Sequence, residues 1–135
     1  RRVAKGFTVN DVGEGGVVYH KTFRNLTAVQ THPLDRETPC VIHRQIEVPK
    51  GKKTSLHLQV SHHPHGDWQL RVLAGKRVLA DQIIGPKTVS KNEWAEVQVD
   101  LTGFAGQKIK LSLENRANNW NCEWAYWNAI KVVSK

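Results

Sequence analysis

Apolar and polar residues alternate with a period of two along most of this chain, which is the pattern of half-buried β-strands. The clearest alternating runs lie at residues 42–48, 56–60, 68–72, 95–101 and 109–113. No stretch repeats its apolar residues with the roughly 3.6-residue period of an amphipathic helix. The alternation therefore predicts an all-β chain.

Turn signals separate these runs at short intervals. Pro49-Lys50-Gly51-Lys52 turns one strand back, Ala74-Gly75-Lys76 forms a hairpin, and Gly85-Pro86 ends the strand at 78–84. The glycine-rich segment 6–16 indicates a loop. Further strands are predicted at residues 17–23, 26–31 and 130–133. About eight or nine short strands at a spacing of ~8–12 residues predict a two-sheet antiparallel β-sandwich of the jelly-roll type.

Length and composition indicate one globular domain. The chain has 135 residues, 39% of them apolar and 24% charged, and this length is enough to bury a core. No run approaches the ~18 apolar residues of a membrane span, and no signal-like segment opens the chain. Residue 1 is Arg and methionine is absent. We therefore expect residues 1–135 to be a single β-sandwich module of a larger, multidomain protein.

The charge balance bears on the kind of partner. The formal net charge is +8, from 20 Lys and Arg against 12 Asp and Glu. A basic surface attracts polyanions over a long range, so an anionic polysaccharide is a candidate partner. The lysines are scattered over polar strand faces and turns, which is also typical of a solvated surface. Because no stripe of basic residues is interleaved with aromatic ones, nucleic acid is not an expected partner.

Three of the five tryptophans lie in segment 114–130, among several asparagines. Aromatic rings beside short polar side chains suit a sugar, whose C–H face lies on a ring while its hydroxyl groups form hydrogen bonds. The rings expected to stack a glycan are Trp120, Trp124 and Trp127. The hydrogen-bonding side chains expected beside them are Asn118, Asn119 and Arg116.

An alternative interpretation places part of this segment in the core. Residues 124–127 can begin the last strand, where alternation sends some side chains inward. At least one of Trp124 and Trp127 is then expected to be buried. Trp120 remains the ring whose exposure would indicate a binding partner.

A second unusual stretch, residues 61–68, contains three histidines, an aspartate and a tryptophan. We expect His63, His65 and Trp68 to line the same groove as the tryptophan segment, because imidazole can form hydrogen bonds with sugar hydroxyl groups. The alternative is a metal site, since neutral imidazole is a common metal ligand. Its candidate ligands are His62, His63, His65 and Asp67. Their spacing matches no established site, and neighbouring residues of a strand point to opposite faces.

Enzymatic and redox motifs are not found. The sequence has no Gly-x-Ser-x-Gly elbow, no phosphate-binding glycine loop and no His-Glu-x-x-His pair, so a non-catalytic protein is predicted. Cys40 and Cys122 match no metal or redox spacing, and both a disulfide and two free buried thiols remain open.

Two regions resemble known carbohydrate-binding families. In segment 94–111, a tryptophan precedes alternating apolar residues that end in Asp100-Leu101, followed by a turn with Phe104 and Ala105-Gly106 and another alternating strand. This segment resembles the late strands of galactose-binding-like jelly rolls. Two upstream features, together with the hairpin at 72–79, are similar to NPCBM-type carbohydrate-binding modules. They are Thr31-His32-Pro33 and Pro39-Cys40-Val41-Ile42 with its long strand.

The resemblance implies a two-sheet jelly roll without catalysis that binds sugar through loops at one end. It also implies a possible structural calcium ion, for which the acidic loop Asp11 to Glu14 offers too few of the ~6–8 oxygen ligands required. We therefore expect a glycan-binding accessory module of a secreted, cell-surface or periplasmic protein. The alternatives are a structural sandwich that packs its tryptophan segment on a neighbouring domain, and a metal-binding module at the histidines.

Overall fold

A computed structural model describes residues 2–135, with side chains from Ala4 onward, and its strands form two antiparallel sheets. In chain order the strands are β1 (Arg2–Ala4), β2 (Phe7–Asn10), β3 (Val18–Phe23), β4 (Leu26–Thr31), β5 (Cys40–Glu47), β6 (Thr54–His62), β7 (Trp68–Ala74), β8 (Arg77–Ile84), β9 (Ala95–Asp100), β10 (Lys108–Arg116) and β11 (Ala125–Ser134). Thr102–Phe104 forms a short 3₁₀ turn. Over the described residues, no helix has the length and hydropathy needed to cross a membrane.

The two sheets pack face to face around one main core. The six-stranded sheet has the order β1-β2-β5-β10-β7-β8, and the five-stranded sheet has the order β3-β4-β11-β6-β9. Core residues come from both sheets, for example Ile42 and Leu113 from one and Leu56 and Val60 from the other, all 0% exposed. This architecture confirms the prediction of an all-β, two-sheet antiparallel β-sandwich.

Alternation selects the side chains that enter the core. In β9, and in β6 as far as Val60, every second residue is buried, as expected when successive side chains of a strand point to opposite faces. The same phase carries Trp68 inward with Leu70 and Val72, and it carries Trp127 inward from β11. The alternating pattern of the sequence is therefore the main determinant of the core.

Trp68 and Trp127 form an aromatic pair in this core. They are 0% and 2% exposed, and their ring centroids lie 5.2 Å apart. Both indole N–H groups are satisfied, Trp68 Nε1 by the carbonyl of Ser61 at 2.9 Å and Trp127 Nε1 by Thr31 Oγ1 at 2.9 Å. The prediction that these two rings stack a ligand is wrong, because no ligand can reach them without opening the sandwich. The burial of Trp127 confirms that at least one of Trp124 and Trp127 is a core residue.

Two strand boundaries differ from the prediction. The predicted loop at 6–16 contains β2, whose Phe7 and Val9 are buried and whose backbone pairs with β5. The glycines on either side masked this short alternation. The last strand begins at Ala125 rather than at residue 130, which agrees with the alternative interpretation of residues 124–127, and an irregularity between Trp127 and Ala129 interrupts its register.

A second, smaller apolar cluster covers part of the outer face of the five-stranded sheet. Trp94 and Tyr126 are buried there, and the ring of Phe23 stacks on Tyr126 with a centroid distance of 3.8 Å. Arg24, in the turn of the β3–β4 hairpin, holds the hairpin over these rings. Its Nη1 donates a hydrogen bond to Ser61 Oγ at 2.8 Å, and its carbonyl accepts one from Trp94 Nε1 at 3.0 Å. These aromatic side chains therefore stabilise the fold and are not free for a ligand.

Candidate functional site

Three loops lie at one end of the sandwich. The tryptophan loop (residues 117–124) joins β10 to β11, the histidine turn (residues 63–67) joins β6 to β7, and the 32–39 loop joins β4 to β5. Because β11 pairs with both β4 and β6 in antiparallel register, it brings the three loops to the same edge.

The histidine turn packs directly against the tryptophan loop. Asn118 Nδ2 donates a hydrogen bond to Asp67 Oδ1 at 3.0 Å, and Asn121 Nδ2 donates one to the carbonyl of His65 at 3.4 Å. A side chain on Gly66 would place its Cβ 2.2 Å from the carbonyl oxygen of Cys122, so only glycine fits there. These contacts confirm the expectation that the two segments share one end of the fold.

The carboxylate of Glu123 stabilises the tryptophan loop through hydrogen bonds to its backbone. It is 1% exposed and accepts hydrogen bonds from backbone N–H groups of the loop. One oxygen accepts from Asn118 N and from Asn119 N, the latter at 3.2 Å, and the other accepts from Asn121 N at 2.9 Å. Backbone N–H groups that make no bond within a strand need other acceptors, and this one side chain accepts hydrogen bonds from three of them. The loop is thus shaped by an acidic side chain that the sequence analysis did not single out.

The hydrogen bonds to Glu123 surround two residues, Trp120 and Cys122, whose backbone conformation is uncommon for residues other than glycine. Trp120 and Cys122 have φ values of 60° and 53°, in the left-handed region that non-glycine residues seldom adopt. Burial raises the pKa of Glu123, while its backbone hydrogen bonds oppose the rise and the nearby Asp67 adds to it. Residues held in such conformations are often found at functional sites.

The tryptophan loop carries the rings of Trp120 and Trp124, and Trp124 also packs against the second apolar cluster. Both residues are partly exposed, and both contact His32, with ring centroid distances of 5.3 Å and 4.8 Å. His63 lies on another side of Trp124 at 5.4 Å. The indole N–H of Trp124 is buried without a hydrogen-bond partner among the described residues. We call Trp120, Trp124, His32 and His63 the aromatic surface.

The 32–39 loop adds a cation to this surface. The guanidinium carbon of Arg36 lies 5.8 Å from the ring centroid of Trp120, and Arg36 is exposed. Sequence analysis did not identify His32 or Arg36 as site residues. Both are more than 80 positions away from Trp120 in the chain, so only the pairing of β4 with β11 reveals that they are neighbours.

The other predicted site residues occupy different settings. Asn118 and Asn119 are exposed on the tryptophan loop. Arg116 ends β10 and donates to Glu114 at 2.8 Å, which ties it to the strand rather than to the aromatic surface. His65 is exposed, and its backbone N–H donates to His63 Nδ1 at 3.1 Å.

The histidines do not assemble a metal site. His62 is 3% exposed, and its Nδ1 lies 2.8 Å and 2.9 Å from the carbonyl oxygens of His63 and Gly66, which can only accept a hydrogen bond. Its Nε2 faces Arg24 Nη1 at 3.4 Å, which can only donate. Both ring nitrogens are therefore engaged within the protein. Burial lowers the pKa of His63, and electrostatic interactions with the nearby side chains of His65, Arg24 and His62 lower it further.

Metal chemistry is not supported elsewhere either. Between residues 2 and 135, no three His, Cys, Asp or Glu side chains are grouped as a metal site would require. The metal prediction for His62, His63, His65 and Asp67 is wrong, because His62 is a structural hydrogen-bonding residue and Asp67 is engaged by Asn118. Asp11 and Glu14, considered for calcium, are both exposed and offer only two carboxylates. The residues present do not fit the calcium ion that the resemblance implied.

A shallow groove runs along the outer face of the five-stranded sheet, away from the three loops. Its volume is about 390 Å³. The groove is lined by His57, Leu58, Gln59, Glu96, Val97, Gln98, Ala129, Lys131 and Val133. No tryptophan, tyrosine or phenylalanine is among these lining residues. Because ring stacking requires such side chains, we place the candidate site at the loop end of the sandwich.

This chain is similar to known proteins in structure but not in sequence. No protein-family model matches this sequence, and no curated protein matches it either. The K1 cleaved adhesin domain of Lys-gingipain from Porphyromonas gingivalis W83 is 11% identical with a TM-score of 0.63, over 98% of this chain and 93% of that one. The CBM22-1 xylan-binding domain of Xyn10C from Paenibacillus barcinonensis is 14% identical with a TM-score of 0.61, over 99% of this chain and 88% of that one.

A third similar structure is that of TmCBM61 in complex with β-1,4-galactotriose. It is 16% identical with a TM-score of 0.57, over 96% of this chain and 88% of that one. At this level of identity the likeness concerns the fold alone, and the NPCBM subtype stays a prediction. The chain has the β-sandwich fold found in carbohydrate-binding modules and in a cleaved adhesin domain.

Proposed function

We propose that this chain is a non-catalytic carbohydrate-binding module that holds a glycan on the aromatic surface at the loop end. The observation that carries the proposal is the setting of Trp120. Its ring is partly exposed, and its backbone has the left-handed conformation. The buried carboxylate of Glu123 accepts hydrogen bonds from the backbone of the same loop. An aromatic ring held rigidly at the surface loses little conformational entropy when a ligand stacks on it.

Polar groups around the ring suit sugar hydroxyl groups. The exposed amides of Asn118 and Asn119 lie on the same loop, and the imidazole of His63 lies beside Trp124. The indole N–H of Trp124 is buried, so it is not counted among these groups. His65 and Arg116 remain candidates at the margin of the site.

The structural neighbours support the proposal by analogy. One is a xylan-binding domain and another is in complex with β-1,4-galactotriose. Folds of this kind host several functions, so the neighbours raise the expectation of glycan binding without naming the sugar. By the same analogy we expect a secreted, cell-surface or periplasmic parent protein that carries this module beside other domains.

The formal net charge of +8 favours an anionic polysaccharide. Long-range attraction between a basic protein and an anionic polymer increases the association rate and weakens as salt screens it. Stacking on an aromatic ring is insensitive to salt by comparison.

A glycan array probed at low and at high salt tests the proposal. Binding to one glycan class at both concentrations supports a stacking site. Binding that disappears completely at high salt supports attraction by charge alone. Absence of binding to any glycan contradicts the proposal.

A second candidate function is a protein-interaction sandwich whose tryptophan loop packs on a neighbouring domain. Two observations favour it: the similarity to a cleaved adhesin domain, and the exposure of Leu34, which is 47% accessible in the 32–39 loop. Under this alternative, Leu34→Ser weakens binding to a protein partner, and the glycan array stays blank.

A further inference from the structure

We infer that the sugar unit held at Trp120 is acidic and that Arg36 is the residue that recognises its carboxylate or sulfate group. This inference rests on the proposed function, because it assigns the ligand class of the same site. It goes further than the overall basic charge, since it depends on one guanidinium at a defined position.

The 32–39 loop presents Arg36 at its tip. Asp35 Oδ1 accepts hydrogen bonds from the backbone N–H groups of Glu37 at 2.9 Å and Thr38 at 2.7 Å, and Leu34 N donates to the carbonyl of Thr38 at 3.0 Å. These bonds close the loop into a tight turn. Because the carboxylate of Asp35 is hydrogen-bonded to the backbone, it makes no ion pair with the neighbouring guanidinium. The turn therefore holds Arg36 outward as an exposed cation.

The Arg36 side chain contacts a ring and makes no ion pair among the described residues, although Asp35 and the exposed Glu37 flank it in the chain. In the described part of the chain, the arginines in ion pairs are Arg24, Arg71 and Arg116, and Arg36 is not among them. Its guanidinium carbon lies 5.8 Å from the centroid of Trp120, within the range of a cation–π contact. That contact leaves the planar N–H donors free to bind a ligand.

The acidic groups near the aromatic surface are already engaged. Asp67 accepts a hydrogen bond from Asn118, and Glu123 accepts from the backbone of the tryptophan loop. His32 uses its Nδ1 on the carbonyl of Pro33 at 2.8 Å. Arg36 is thus a charged group of the surface that still lacks a partner of opposite charge.

The guanidinium of Arg36 lies over the Trp120 ring, so an anion bound to it is held close to that ring. A pyranose can stack on the part of the ring that Arg36 leaves uncovered while an anionic substituent reaches the guanidinium. Carboxylate and sulfate groups pair with arginine through two parallel hydrogen bonds, which are stronger than those between neutral groups. A neutral sugar would stack on the ring but would leave the guanidinium with water.

The test compares three oligosaccharides of equal length by titration calorimetry: a neutral galactan, a galacturonan and a sulfated galactan. We expect the wild-type chain to bind at least one acidic oligosaccharide about tenfold or more tightly than the neutral one. In Arg36→Gln that preference should disappear, while the affinity for the neutral galactan stays within about twofold. The acidic oligosaccharide that loses affinity in Arg36→Gln identifies the recognised group as carboxylate or sulfate.

Arg77→Gln is the matched control. The guanidinium carbon of Arg77 lies 5.8 Å from the ring of Phe104, so it repeats the arginine-over-ring geometry of Arg36 away from the three loops. Both variants lose one positive charge, so a long-range effect of net charge would be equal in the two. We expect Arg77→Gln to keep the preference for the acidic ligand.

Four results would overturn the inference. Equal wild-type affinity for neutral and acidic ligands would remove the assigned ligand class and leave glycan binding intact. An acidic preference that survives Arg36→Gln, or that falls equally in Arg77→Gln, would remove the role of Arg36. If the wild-type chain binds none of these glycans and none on the array, the proposed function fails first and the inference fails with it.

Discussion

The backbone N–H of Asn121 donates a hydrogen bond to the carboxylate of Glu123 at 2.9 Å, and the same carboxylate also accepts from Asn118 and Asn119. Replacing Glu123 with Ala would leave these loop N–H groups without acceptors. A hydrogen bond to a charged group contributes about 1.5–3 kcal/mol, but these donors belong to exposed residues, where water can replace part of the lost bonding. We therefore expect Glu123→Ala to lower the free energy of unfolding by about 1–3 kcal/mol and to weaken glycan binding. Denaturant unfolding and calorimetry measure the two effects. Glu96→Ala, at an exposed position, is the control and should change neither.

The pKa of Glu123 predicts a pH dependence of stability. Burial raises this pKa above its ordinary value of 4.5. As pH rises between the two values, the folded state holds the proton that the unfolded state has lost, so the contribution of Glu123 to stability decreases. The variant Glu123→Gln cannot titrate. We expect the stability of wild type relative to Glu123→Gln to fall as pH rises through this window, and a constant difference would contradict the raised pKa.

Gly66 couples the histidine turn to the tryptophan loop. A Cβ at this position would lie 2.2 Å from the carbonyl oxygen of Cys122 and 2.3 Å from that of Asn121. Both obstacles are backbone atoms, so Gly66→Ala must displace one loop from the other and should cost about 1–3 kcal/mol. Gly103→Ala is a matched control, because nothing lies within 4 Å of its Cβ. Equal melting temperatures for the two variants would disprove this packing.

The two cysteines should differ in reactivity. Cys40 is fully buried, and burial raises its pKa to about 12, whereas Cys122 is partly exposed and both thiols are free. Since the thiolate is the reactive form, we expect a thiol reagent at pH 8 to modify only Cys122 in the folded protein. Both cysteines should react after denaturation. Mass spectrometry of the labelled peptides distinguishes this outcome from a disulfide, which would leave neither thiol reactive.

The tryptophans should separate into core and surface by their effect on stability. Trp68 is 0% exposed, so Trp68→Ala should destabilise the fold by about 3–5 kcal/mol. Trp120 is partly exposed on a loop, and Trp120→Ala should cost less than about 1 kcal/mol. Urea unfolding of the two variants measures this difference directly, and similar losses would mean that Trp120 also belongs to the core.

Much of the fold could be predicted from the sequence, because burial in a sandwich follows the alternation of each strand. The same phase that buries Leu70 and Val72 also buries Trp68, so the signal against a ligand role for Trp68 was present in the pattern. The prediction of a ligand role for Trp68 rested on its place beside the histidines in residues 61–68 and did not use this alternation. The strand Phe7–Asn10 was missed because its alternation is short and flanked by glycines.

The make-up of the candidate site was only partly predictable. Asn118 and Asn119 were identified because they surround Trp120 in the chain. His32 and Arg36 were not, because their proximity to Trp120 depends on strand pairing between distant segments. The role of Glu123 depends on local backbone geometry, including the left-handed conformation of Trp120, which no residue pattern specifies.

The central claim, that Trp120 forms the glycan-binding surface, is tested most directly by titrating the best-binding glycan of the array into Trp120→Ala. Tyr19→Ala is the control, since Tyr19 is 68% exposed on strand β3 and lies outside the three loops. We predict that Trp120→Ala binds at least about 30-fold more weakly, equivalent to roughly 2 kcal/mol, with an unchanged fold. Tyr19→Ala should bind like wild type. Unchanged affinity in Trp120→Ala would contradict the account.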